Sequence, residues 1–124
     1  MKKILFIDDD PVLQETLATL LGQNNYELIS ALNGEQGLLV AKNQDPDLII
    51  LDLVLPKKDG FVVLEELKSD DETKDKQVMV LTNLDEAKDV ERALNLGAMT
   101  YLVKTNHTSE DILNKVNKIF KKTV

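Results

Sequence analysis

Leu48-Ile49-Ile50-Leu51 runs without interruption into Asp52, with Pro46-Asp47 before it and Leu55-Pro56 and Asp59-Gly60 after it. Four apolar residues in a row show neither helical period nor alternation, as expected of a strand covered on both faces. The same pattern recurs three times. Ile4-Leu5-Phe6-Ile7 runs into Asp8-Asp9, Val78-Met79-Val80-Leu81 into Thr82, and Tyr101-Leu102-Val103 into Lys104. Longer segments of helical period separate these runs, long enough for the crossover connections that parallel strands need. In a parallel α/β sheet the carboxyl ends of the strands share one rim, and ligands bind there. Three carboxylates, a hydroxyl and an ammonium, far apart in sequence, are thus predicted to meet in one pocket.

The helices can be placed from punctuation. Asp10 is a candidate N-cap with Pro11 at the first helical position, and Leu13, Leu17, Leu20 and Leu21 form an apolar stripe that Asn24-Asn25 ends. A weaker strand follows over Glu27 to Ala31. Asn33-Gly34 opens a second helix that runs to about Asn43, and Pro46 biases Asp45 towards an extended form. Asp59-Gly60 introduces a third helix with Phe61, Leu64 and Leu67 inward. Ser69 to Lys76 reads as a solvated loop, and Gln77 to Leu81 as the next strand. Helix 4 is predicted over Asp85 to Leu96, with Gly97 placed for a left-handed cap. Strand 5 covers Thr100 to Val103. Thr108 and Asp111 resemble a capping box for helix 5, whose inner stripe is Ile112, Val116, Ile119 and Phe120. Five strands alternating with five helices imply a doubly wound α/β sheet.

Composition narrows the function. The 124 residues suit one domain, 1–124, and 43% hydrophobic content is enough for a core. No apolar stretch approaches the roughly 20 residues of a membrane span, and the run after Met1-Lys2-Lys3 is too short for a signal peptide. There are no cysteines, which removes disulfides and thiolate metal sites. A cytoplasmic protein is expected. The formal net charge is −7, so direct binding to nucleic acid or to an anionic membrane is not expected. Lys115, Lys118, Lys121 and Lys122 read as the wet face of the last helix.

Three neighbouring carboxylates cannot all stay ionised without compensation. Mg²⁺ is hard, seeks oxygen and accepts a few carboxylates plus water. With Lys104 it would bring Asp8, Asp9 and Asp52 to zero net charge, ready for a phosphoryl group. Asp52 stands alone at the end of the central strand, and the Asp8-Asp9 pair suits metal. A carboxylate nucleophile forms an aspartyl phosphate, with the protein supplying position and charge neutralisation. Thr82 would donate its hydroxyl to one phosphoryl oxygen and Lys104 would pair with another.

Asp8-Asp9, the stretch Pro46 to Asp52, Leu55-Pro56, Asp59-Gly60, Thr82, Gly97-Ala98, Tyr101 and Lys104 together resemble the receiver domain of bacterial two-component response regulators. The resemblance spans essentially the whole chain. It implies a flavodoxin-like three-layer sandwich with strand order 2-1-3-4-5. It implies that Asp52 accepts phosphate from a phosphohistidine on a sensor histidine kinase or phosphotransfer protein. Asp9 and Asp52 would bind Mg²⁺ directly, Asp8 mainly through water, and the backbone carbonyl of Val54 would be a further ligand. Thr82, Lys104 and the backbone amide of Asn83 would hold the phosphoryl group. Tyr101 would turn inward as Thr82 moves, altering an output face on helix 4, strand 5 and helix 5 for a downstream effector that the sequence does not name. Such a domain is a phosphoacceptor and not a turnover enzyme.

The chain departs from that pattern at Thr105, where the family usually has proline after the lysine in a cis bond. A cis bond without proline costs about 2.5–4 kcal/mol, so a trans Lys104-Thr105 bond and a reshaped loop are expected. Thr105 also leaves open a degenerate receiver that only binds partners. Asn83 replaces a small residue beside the phosphate. Val54 and Leu84 put apolar groups where polar ones orient water, which predicts a slowly hydrolysed phosphoaspartate. His107, the only histidine, reads as an exposed and inert loop residue. A haloacid-dehalogenase-type phosphatase would need an Asp at Val54, and a flavodoxin would need hydroxyls in place of three aspartates after strand 1. The chain stops at Val124 after helix 5, and reads as a single-domain regulator, monomer or weak homodimer, or as a piece of a longer regulator or hybrid kinase.

Overall fold

The computed structural model describes residues 1–121. Its sheet holds β1 (Lys2–Ile7), β2 (Tyr26–Ala31), β3 (Leu48–Leu51), β4 (Gln77–Thr82) and β5 (Thr100–Val103), all parallel, in the order β2-β1-β3-β4-β5. The helices are α1 (Pro11–Gly22), α2 (Gly34–Gln44), α3 (Gly60–Ser69), α4 (Ala87–Asn95) and α5 (Ser109–Ile119). The expected doubly wound sandwich is therefore present.

The solid apolar runs are explained by the pleat, since successive residues of one strand enter opposite layers. Ile4, Phe6, Leu48, Ile50, Met79 and Leu81 pack with Leu17 and Leu21 of α1 and Ile112, Leu113 and Val116 of α5. Leu5, Ile7, Ile49, Leu51, Val78 and Val80 face Ala41 of α2, Phe61, Val63, Leu64 and Leu67 of α3 and Ala93 of α4. These strand side chains are fully buried, each contributing roughly 1.5–3 kcal/mol relative to exposure.

Several local signals act as expected. Asp10 Oδ1 accepts from the amides of Val12 (3.0 Å) and Leu13 (3.2 Å) and starts α1. Thr108 and Asp111 make a reciprocal capping box at α5. Gly97 takes a φ of +107°, a conformation that other residues adopt at a cost, and closes α4.

Other expectations need correction. Asp45 is left-handed, at φ 47° and ψ 59°, because it caps the end of α2, and Asp tolerates that region. Its carboxylate pairs with Lys76. The inward side of α1 carries Gln14 with Leu17 and Leu21, while Leu13 and Leu20 are half-buried. The segment after α3 is not only solvated loop, since Thr73 is buried there and donates to the Leu67 carbonyl at 2.7 Å. Helix α4 is shorter than expected, and Glu86 gives it no side-chain cap. In α5, Leu113 and Asn117 are buried beside the expected stripe, and Asn117 Oδ1 accepts from the Tyr26 hydroxyl at 2.6 Å. Lys118 and Lys121 are exposed and Lys115 is half-buried, whereas Lys122 lies outside the described residues.

Candidate functional site

Register brings the acidic residues together. Ile7 pairs with Leu51, so the residues that follow, Asp8 and Asp52, leave the sheet side by side. The Asp52 amide donates to the Ile7 carbonyl (3.0 Å), and the Asp8 amide to the Ala31 carbonyl (3.0 Å). Carboxylate oxygens of Asp8, Asp9 and Asp52 lie within 4.8 Å of one another. Asp8 and Asp52 are buried and Asp9 is exposed, which makes Asp9 the mouth of the cup.

Lys104 reaches into this cup. Its Nζ lies 2.6 Å from Asp8 Oδ2 and 3.0 Å from Asp52 Oδ2. The Asp52 contact is a hydrogen bond. The Asp8 contact is closer but misses hydrogen-bond geometry, so Asp8 Oδ2 is buried with an ion-pair partner and no aligned donor. Asp8 Oδ1 accepts from the Asp10 amide at 2.9 Å. Burial raises the Asp8 carboxyl above the usual carboxylate range, against the opposing pull of Lys104 and the Asp10 amide. Burial also opposes the charge on Lys104, but Asp8 and Asp52 outweigh it and hold the ammonium above its ordinary value. Asp52 Oδ1 accepts from the Val54 amide at 3.1 Å, and the Val54 side chain is 57% exposed beside it.

The donor set fits a hard divalent cation. It consists of carboxylate oxygens only, at close quarters, and one of them lacks a hydrogen bond in a buried place. The loop beneath is held from below. The Gly60 amide donates to the Leu53 carbonyl (3.1 Å), and a Cβ on Gly60 would fall 2.3 Å from Leu53 Cα and 2.5 Å from the Asp52 carbonyl oxygen. Lys57 in that loop has a φ of 69°, and the Lys58 amide donates back to the Pro56 carbonyl at 2.8 Å.

Thr82 is buried at the end of β4, and Asn83 after it is exposed. The Leu84 amide makes a long contact of 3.4 Å to Thr82 Oγ1, while the Leu84 carbonyl accepts from the Tyr101 hydroxyl at 2.7 Å. Leu84 thus joins Thr82 and Tyr101, which the sequence links only through family resemblance. Its role rests on backbone groups, which leave no trace in residue type. Burial, with Asp89, Asp52 and Asp85 adding to it, pushes the Tyr101 phenol up to about 12. No cis peptide bond occurs among the described residues, and the chain leaves Lys104 through a 3₁₀ turn over Lys104–Asn106. His107 is not an exposed residue. It is half-buried, with Nδ1 3.9 Å from Asp111 Oδ2, because it folds back on the first turn of α5.

Residues 4–117 match the family model for the response regulator receiver domain. The chain belongs to that family. The DNA-binding dual master transcriptional regulator RpaA of Synechocystis sp. is 37% identical over 123 residues, covering 99% of this receiver and 51% of RpaA. The receiver spans about half the length of the first curated relatives it matches. Among solved structures, the BeF3-activated N-terminal receiver domain of Klebsiella pneumoniae RstA superposes with a TM-score of 0.86 at 28% identity, over 94% of this chain and 97% of that one. The Mn(2+)-bound form of response regulator Rcp1 gives a TM-score of 0.83 at 29% identity, over 100% and 97%. Receiver domains of response regulators partner with histidine kinases or phosphotransfer proteins, and a signalling role comes with membership. No helix among the described residues is long and apolar enough to cross a membrane.

Proposed function

We propose that this receiver domain, 1–124, accepts a phosphoryl group on Asp52 from the phosphohistidine of a sensor kinase or phosphotransfer protein. The observation that carries the reading is the Lys104 ammonium, held between Asp8 and Asp52 in a cup of three carboxylates. Asp8, Asp9, Asp52 and the Val54 carbonyl would hold Mg²⁺. The Mn²⁺ bound by the related Rcp1 supports a divalent ion in such a domain. When bound, Mg²⁺ supplies positive charge that neutralises the phosphoryl oxygens. An Asp52 oxygen attacks phosphorus, the phosphorus–nitrogen bond of the donor breaks, and the electron pair leaves with the imidazole. Lys104 follows the growing negative charge from carboxylate to phosphoryl oxygen. The Thr82 hydroxyl and the Asn83 amide bind the other oxygens.

Movement of Thr82 towards the phosphoryl group releases the Leu84 amide. Leu84 then carries the change to the Tyr101 hydroxyl and to the face formed by α4, β5 and α5, where an effector docks. The domain is a phosphoacceptor of the cytoplasm and not a turnover enzyme. Incubation with acetyl phosphate and Mg²⁺, followed by intact mass measurement, tests the reading. The wild type gains one phosphoryl mass. No gain, or an undiminished gain in Asp52→Ala, would overturn the proposal.

A further inference from the structure

Gln14 is the one buried residue of α1 that is not apolar. Only 4% of it is exposed, and its amide sits behind the acidic cup. Its Nε2 donates towards three backbone carbonyls: Phe6 at 2.9 Å, Asp8 at 3.1 Å and Ala31 at 3.2 Å. Its Oε1 accepts from the Ser30 hydroxyl at 2.7 Å, which fixes which way the amide points. Ala31 ends β2, and Asp8 directly follows the end of β1. The Ala31 carbonyl makes the last rung, accepting from the Asp8 amide at 3.0 Å, and the Asp8 carbonyl lies one step beyond it, where it needs another donor. Gln14 supplies it, and also ties together the two strand ends and the helix that follows Asp8.

An apolar side chain of similar length would fill the same space. It would leave the Phe6 and Asp8 carbonyls without the side-chain donor that now reaches them, and the Asp8 peptide held by its amide bond to the Ala31 carbonyl alone. Asp8 is the cup residue least able to correct itself. Its carboxylate is buried, and only Lys104 and the Asp10 amide steer it. The aim of that carboxylate is set largely by where its backbone lies.

We propose that Gln14 is a positioning residue for the acidic cup. By holding the Asp8 carbonyl from behind, it aims the Asp8 carboxylate and so sets the affinity for a divalent cation. The inference rests on the cup being a metal site, as proposed above, but needs no phosphotransfer. Groups that orient metal ligands typically change affinity by about 10–100-fold when removed, and Gln14 belongs at the lower end because it acts through the backbone.

The test is calorimetric titration of the metal-free protein with Mn²⁺, paired with thermal melts of the same samples. Gln14→Met is compared with Thr73→Val, which removes a similarly buried polar group far from the cup. Gln14→Met is expected to weaken Mn²⁺ binding about tenfold, while Thr73→Val lowers stability and leaves the affinity unchanged. Ser30→Ala frees only one end of the Gln14 amide, and should weaken binding in the same direction by a smaller factor. That variant carries the test if Gln14→Met does not fold. Unchanged Mn²⁺ affinity in Gln14→Met, or in Ser30→Ala where it stands in, would overturn the inference while leaving the metal site intact. A wild type that binds no Mn²⁺ would overturn both.

Discussion

The Tyr101 hydroxyl donates to the Leu84 carbonyl at 2.7 Å, across the gap between β5 and the loop that follows Thr82. Tyr101→Phe keeps the ring and leaves that carbonyl without its side-chain donor, so stability should fall by about 1 kcal/mol. A denaturant melt would show it. Burial, helped by the charges of Asp89, Asp52 and Asp85, favours the neutral phenol. A phenol raised in the folded state contributes stability that is whole below its ordinary value of 10.0 and is lost as pH rises through about 12. In Tyr26→Phe, tyrosinate absorbance of the folded protein should therefore emerge near pH 12 and not near 10.

Asp8→Asn should raise metal-free stability and abolish cation binding together. Burial is the main force holding the Asp8 carboxyl up, so ionising it costs the folded state. The wild type is thus favoured at low pH and loses that contribution as pH rises through the raised value. The variant should melt higher at neutral pH. The advantage should fade as the solution is acidified. A difference that stays flat from neutral to acid pH would contradict this.

Lys104→Met should do the opposite. It leaves Asp8 and Asp52 facing each other without the ammonium, at a cost of about 3 kcal/mol in metal-free buffer. Mg²⁺ should restore much of that loss, because a cation then takes the place the ammonium left. In the wild type the Lys104 contribution is whole below pH 10.5 and is lost only as pH climbs through the raised folded value. Melts with and without Mg²⁺ at neutral pH check the pattern.

Val54→Asn should shorten the life of the phosphorylated protein. The Val54 side chain is exposed beside Asp52 and cannot orient an attacking water, whereas an amide can. A mass-spectrometric decay series on the two phosphorylated proteins decides the point. Equal or slower decay in the variant would refute it.

The cup was legible because it hangs on strand ends. A solid run such as Leu48 to Leu51 shows where a buried strand stops, and the next residue, Asp52, falls on the rim. Asp8, Thr82 and Lys104 follow by the same logic. What stayed hidden has physical reasons. Gln14 stands three and seven residues before Leu17 and Leu21 on the inward face of α1, but its polar amide keeps it out of an apolar stripe, and only the carbonyls behind Asp8 explain its burial. Leu84 acts through its backbone. Asp45 obeys the helix it ends and not the proline after it. His107 reads as exposed because nothing in a loop sequence shows which way the chain folds back.

Gly60 lies flush against the backbone of Asp52 and Leu53. Position 60 therefore has no room to vary, although its residue has no side chain to offer a phosphate. In a library of random variants it should be as barren as position 52, and a screen that scores only lost signalling would confuse the two. Heat separates them: an Asp52 variant keeps its cooperative melt, and a bulky residue at 60 costs the domain its fold.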